Sequence, residues 1–117
     1  MDNVEKLIEK RDGVFKKIGE IKTMRRGTIN EQYLKVPQKN APPALRGPYY
    51  VFSKSAGGKT ISKRIKKEDI ESVKNDIEEY HKFISLTEEF VEITEKITEI
   101  VRSTDDEQSE ALKKNRI

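Results

Sequence analysis

The chain has no cysteine and no tryptophan. Without thiols it can form neither disulfides nor thiolate zinc sites, and it holds no cysteine nucleophile. A single histidine, His81, leaves an imidazole metal site without a second ligand of its kind. No apolar run approaches the roughly 20 residues that a bilayer-crossing helix needs. The opening residues, MDNVEKLIEK, are charged and amphipathic and do not fit a secretory signal. A soluble, cytoplasmic protein with no membrane contact and no cofactor is therefore expected. Hydrophobic residues are also scarce, 33% of 117, against roughly 45–50% in an average domain. A large buried core is excluded. A homodimer formed through helices is the expected compensation.

What the chain has in abundance is charge, 38% of its residues against about 25% in an average domain. The charge is segregated. From Lys22 to Lys67 there are twelve basic residues and one acid, Glu31. From Glu68 to Glu110 there are fifteen acids and four basic residues. A basic middle of this kind points to a polyanionic partner. The alternative is that the two halves neutralise each other, within one chain or across a dimer.

Hydrophobic spacing predicts an α+β fold in a single domain over 1–104, followed by a polar, frayed tail over 105–117. Val4, Leu7, Ile8, Val14, Phe15, Ile18 and Ile21 fall on one helical stripe. They predict a helix over 1–26, capped by Asp2 and stopped by Gly27. TINEQYLKV, from Thr28 to Val36, reads as a strand. The segment from Pro37 to Pro48 holds all four prolines, which predicts a loop that no ladder crosses. Tyr49 to Ser53 and Lys59 to Ile65 read as two strands joined by a turn at Gly57-Gly58. Together these make a basic three-stranded antiparallel sheet over 28–65. A long helix is predicted over 67–103, its apolar stripe running from Ile70 to Ile100. Ser85-Leu86-Thr87-Glu88 could restart a helix, so one helix and two both remain open. The distal half is too long for the sheet to cover, which predicts a helical hairpin with the first helix or a coiled coil with another chain.

Little supports catalysis. Gly57-Gly58-Lys59-Thr60 ends like a phosphate-binding P-loop, but Ser53 stands where the first glycine belongs, and a strand follows where a helix is needed. No pair of carboxylates is singled out as acid and base, and no enzymatic activity is expected. The informative feature is the basic middle. Arg25 and Arg26 precede the first strand, Lys54 and Lys59 flank the turn, and Lys63 and Arg64 lie on the last strand. Tyr49, Tyr50 and Phe52 are the candidates to stack on an unpaired base, and Tyr49 is the one taken into the site. Flexible cations with interleaved hydroxyls suit phosphate contacts, and aromatic residues suit unpaired bases. These seven residues form the candidate nucleic-acid site. The competing readings are that lysines on exposed strands merely keep the sheet soluble, or that a protein partner docks there.

Arg25-Arg26-Gly27-Thr28, Glu31-Gln32-Tyr33, Gly47-Pro48-Tyr49-Tyr50, Gly58-Lys59-Thr60 and the charged helix follow one another in a set order. In this the stretch from Met24 to about Ile93 resembles an uncharacterised domain family of bacteria and archaea that is often encoded in or beside transposons. Relatives often carry a cysteine-rich loop between the first two strands, but here that loop, Val36 to Leu45, has no cysteine. The resemblance therefore implies no zinc in this chain. It implies a mobile-element setting and transfers no activity. The order of sheet and helix is also similar to the small DNA-binding modules of phage integrases, a likeness of fold alone. The leading expectation is a nucleic-acid-binding accessory protein of a mobile element, with DNA ahead of RNA. The alternative is a non-enzymatic interaction module whose helices recruit a partner such as a transposase.

Overall fold

The computed structural model describes the backbone of residues 3–115 and the side chains of residues 3–104. Asp2, the expected cap of the first helix, lies outside the described residues. The order is helix α1 (Asn3–Gly19), strands β1 (Thr28–Gln38), β2 (Ala41–Ala56) and β3 (Lys59–Ile65), a 3-10 turn (Lys67–Asp69) and helix α2 (Ile70–Asn115). The fold is α+β, with one antiparallel sheet ordered β1-β2-β3. The residues group into two compact units, one of Met1–Lys22 with Lys82–Ile117 and one of Thr23–His81. α2 contributes residues to both.

In the helical unit, α1 packs on the distal part of α2. Val14, Leu86, Ile93 and Ile97 are buried, and Leu7, Ile8, Ile18, Ile21 and Phe90 pack around them. This is the hairpin that the apolar stripes predict. The first helix is shorter than the predicted 1–26. It ends at Gly19, the second glycine of a weak sequence, where each glycine costs about 1 kcal/mol relative to alanine. The chain from Ile21 to Arg26 then has no regular structure, so Gly27 is not a helix stop. Its φ is +144°, and an added Cβ would lie 2.6 Å from the Phe52 ring. Glycine stands there because the backbone passes against that ring.

α2 is unbroken at Ser85–Thr87. The Thr87 hydroxyl donates to the Ile84 carbonyl at 2.8 Å, inside the helix rather than across a new N-terminus. Thr94 and Thr98 likewise donate to the carbonyls four residues earlier. The helix also runs to Asn115, past the predicted end at 103. No glycine or proline occurs after Gly58 to stop it.

In the sheet unit, the β2–β3 turn is as expected. Gly57 and Gly58 have φ of +58° and +79°, the two positive angles of a tight hairpin turn. The Pro37–Pro48 loop is not a loop. β1 and β2 form a ladder that continues to Gln38 and Ala41. The prolines are tolerated because the ladder is interrupted where they stand. Pairing skips from Gln32/Tyr49 to Leu34/Arg46, and from Val36/Ala44 to Gln38/Ala41. Tyr33, Pro37, Pro42, Pro43, Gly47 and Pro48 are left without partners, so no proline is asked for a ladder N–H. β3 pairs only with Tyr50–Ala56, which leaves the first part of β2 flanked on one side alone.

Residues opposite each other in a ladder share a face. Ile29, Glu31, Tyr50, Phe52 and Ile65 lie on one face of the sheet. That face is turned toward α2, where the Lys74 ammonium sits 5.7 Å from the Tyr50 ring centre. Val73 is the buried residue of this unit. The opposite face carries Thr28, Asn30, Gln32, Tyr49, Val51, Ser53, Ser62 and Arg64. Apart from Tyr49 and Val51 its residues are polar or charged.

Core and surface positions on the same helix should respond differently. Ile93→Ala removes a side chain that is 4% exposed and should lower the unfolding free energy by about 2–5 kcal/mol. Val91→Ala, at a position 53% exposed, should change it by less than about 0.5 kcal/mol. Urea denaturation followed by circular dichroism distinguishes the two.

Candidate nucleic-acid interface

The seven expected residues do not share one surface. Lys54 pairs with Ile61, Lys59 with Ala56 and Lys63 with Phe52. All three lie on the face that carries Tyr50 and Ile65. Arg64 pairs with Val51 and lies on the other face, as does Tyr49. Period-two alternation requires this, since adjacent residues of a strand point to opposite sides. Arg26 is exposed in the segment before β1.

Arg25 is committed elsewhere. Its Nε donates to Asp76 Oδ2 at 2.9 Å, and its backbone N–H donates to the Asp76 carbonyl at 2.9 Å. Thr23 Oγ1 donates to the other carboxylate oxygen at 2.8 Å. These bonds clasp the segment before β1 to α2 and hold the Asp76 carboxyl below its ordinary range, first through Arg25 and then through Thr23. Of the cations expected to meet a polyanion, Arg25 is thus the one whose charge a helix acid already answers.

Arg64 and Tyr49 belong to a different assembly. The Arg64 guanidinium lies over the Tyr49 ring, 3.6 Å from its centre. Beside them opens a cleft of about 810 Å3. Three segments bound it: Gly47–Tyr50 of β2, Arg64–Lys67 at the end of β3 and in the connection, and the first turns of α2. The cleft exists because β3 stops opposite Tyr50 while β2 continues, and the chain then turns away into α2. Arg64, Lys66, Lys67 and Lys74 line it, with Glu71 as the one acid. Among the described residues no ion pair engages any of the four cations. Tyr50 forms part of the wall. Its hydroxyl donates to Glu31 Oε1 at 3.2 Å. The negative charge of Glu31, and after it burial, raise the phenol above its ordinary value. Tyr50 thus keeps its hydroxyl turned to Glu31 and its ring beside the Lys74 ammonium.

The seven expected residues do not include Lys66, Lys67, Lys74 or Tyr50. The Lys66-Lys67 pair is visible beside Arg64 in the sequence. Lys74 is separated from it by an acidic turn and is brought in only by the packing of α2. The described residues contain no group of His, Cys, Asp or Glu that could hold a metal. No helix among them is long and apolar enough to cross a membrane. His81 stays an exposed helix residue, 5.9 Å from the neighbouring Tyr80 ring. Compared with protein-family models, with curated proteins and with solved structures, the chain matches none.

The clasp should be visible in acid. Folding lowers the Asp76 carboxyl, so the unfolded chain takes up that proton more readily than the folded one. The contribution to stability is complete above the ordinary value of 3.8 and is lost as the pH falls through the lowered one. In an NMR titration the Asp76 carboxyl should show a midpoint below 3.8. Arg25→Ala should move it up toward that value. A midpoint at or above 3.8 in the native protein would refute the clasp.

Proposed function

We propose that the sheet unit binds nucleic acid, with DNA ahead of RNA. The observation that carries this reading is the cleft, in which four cations without ion-pair partners converge beside two tyrosine rings and one acid. Cations held apart from carboxylates keep their charge available for phosphate, and rings beside them supply a surface for bases. The site so defined differs from the sequence-based one. Arg64 and Tyr49 remain in it, Lys66, Lys67 and Lys74 join it, and Lys54, Lys59 and Lys63 form a separate basic surface on the other face. That second surface adds long-range attraction for a polyanion.

An accessory role in a mobile element rests on the Arg25-Arg26-Gly27-Thr28 to Gly58-Lys59-Thr60 resemblance alone. A second reading, an interaction module acting through its helices, is favoured by one specific feature. Phe15 is 65% exposed on α1 and meets Phe90 of α2 at 6.2 Å between ring centres, next to the exposed Val91. A second copy of the chain or another protein could cover this surface.

Binding that depends on phosphate neutralisation is weakened by salt in proportion to the number of contacts. If the four cleft cations each meet one phosphate, log K against log salt should have a slope of about −2.8 on single strands or about −3.6 on duplex. Lys66→Ala with Lys67→Ala should flatten it by roughly 1.4 to 1.8. Fluorescence anisotropy over a salt series measures both quantities. Folded protein that binds no nucleic acid at about 50 mM salt would refute this reading and leave the interaction module in the lead.

A further inference from the structure

We infer that the cleft takes a single strand, with an unpaired base stacked on the outer side of the Arg64 guanidinium and the lysines on the flanking phosphates. This deepens the nucleic-acid reading above and rests on it. Two observations lead to it. The first is the platform itself. At 3.6 Å the Arg64 guanidinium is in van der Waals contact with the Tyr49 ring. A planar guanidinium whose inner face is covered by an aromatic ring is held flat, and its outer face can take a base. Arg64 is exposed, so that outer face is open to a ligand. The second is the form of the surroundings. Duplex readers insert a convex helix or ribbon into a groove about 12 Å wide. Here the cations and rings line a concavity of about 810 Å3, into which a double helix does not fit and a nucleotide does.

The bases of a duplex are stacked on one another and cannot reach Arg64 or Tyr49. On a single strand each base offers a free face, and the site gains stacking as well as charge. Lys66 and Lys67 lie close to Arg64 in the chain, and Lys74 lines the same cleft from α2, 5.7 Å from the Tyr50 ring centre. A strand whose base rests on Arg64 therefore carries its neighbouring phosphates past the ammonium groups that line the same cleft. Nothing in this arrangement reads a base edge, so the expected preference is for strandedness and not for sequence.

The test uses the full chain and fluorescein-labelled oligonucleotides of one length: single-stranded DNA, single-stranded RNA and the matched DNA duplex, with a mononucleotide as competitor. Single strands should bind at least about tenfold tighter than duplex at equal salt. Tyr49→Ala should weaken single-strand binding roughly 5- to 150-fold and duplex binding by less than about twofold. Arg64→Lys keeps the charge and loses the plane. It should weaken single strands several-fold and leave the salt slope unchanged, a result that loss of charge alone cannot produce. Tyr49→Phe should match the native protein, and circular dichroism checks that each variant is folded. Duplex bound as tightly as single strands, with Arg64→Lys silent, would overturn the inference while leaving the nucleic-acid reading intact. So would an oligonucleotide that binds no tighter than the mononucleotide. Binding to none of the strands would remove both.

Discussion

The shortage of apolar side chains constrains everything else in this protein. With 33% hydrophobic residues, the chain cannot fill one large core, and α2 supplies the burying side chains of two small ones. Its first turns present Val73 in the sheet unit, and its later turns present Leu86, Ile93 and Ile97 to α1. A single helix can do this because no glycine or proline after Gly58 breaks it. The hydroxyls of Thr87, Thr94 and Thr98 are satisfied within the helix itself.

The cleft follows from how the sheet is finished. β2 outruns β3, so no third strand flanks Gly47–Tyr49, and the chain leaves along Lys66 and Lys67 toward α2. The prolines belong to the same arrangement. Because ladder pairing is suspended at each of them, β2 can extend beyond its third strand, and a proline-containing edge resists pairing with another chain. The clasp of Thr23 and Arg25 on Asp76 ties the segment entering β1 to the first turns of α2. These are the same turns that supply Lys74 to the cleft wall.

The electrostatic consequence is a division of labour among cations that composition alone treats as equal. Arg25 is spent on structure. Lys54, Lys59 and Lys63 sit on the face of Tyr50 and Phe52, and Arg64 sits on a tyrosine ring of the other face. Only the last belongs to a concave site with other unpaired cations.

Much of this was legible without coordinates. An N-terminal helix, three strands, the Gly57-Gly58 turn and a long helical C-terminal stretch follow from local period and turn chemistry, which short-range sterics dictate. That this stretch is one helix and packs on α1 does not, because a restart signal and a partner chain satisfy the same pattern. The separation of Lys63 from Arg64, and of Tyr49 from Tyr50, was also determined there, because a strand alternates whatever surrounds it. The Pro37–Pro48 ladder was not legible. A proline forbids a ladder bond at its own position, but whether its neighbours skip that position depends on the partner strand. Nor could the end of the first helix be read, since Gly19 and Gly27 look alike until one of them meets the Phe52 ring. The membership of Lys74 in the cleft, and the withdrawal of Arg25 from the expected site, came from α2 packing beside the sheet. The sequence by itself determined which residues are cations and which way each strand residue points, because both are local properties. Tertiary structure decided which cations are neutralised and which converge, because that depends on distances between segments far apart in the chain.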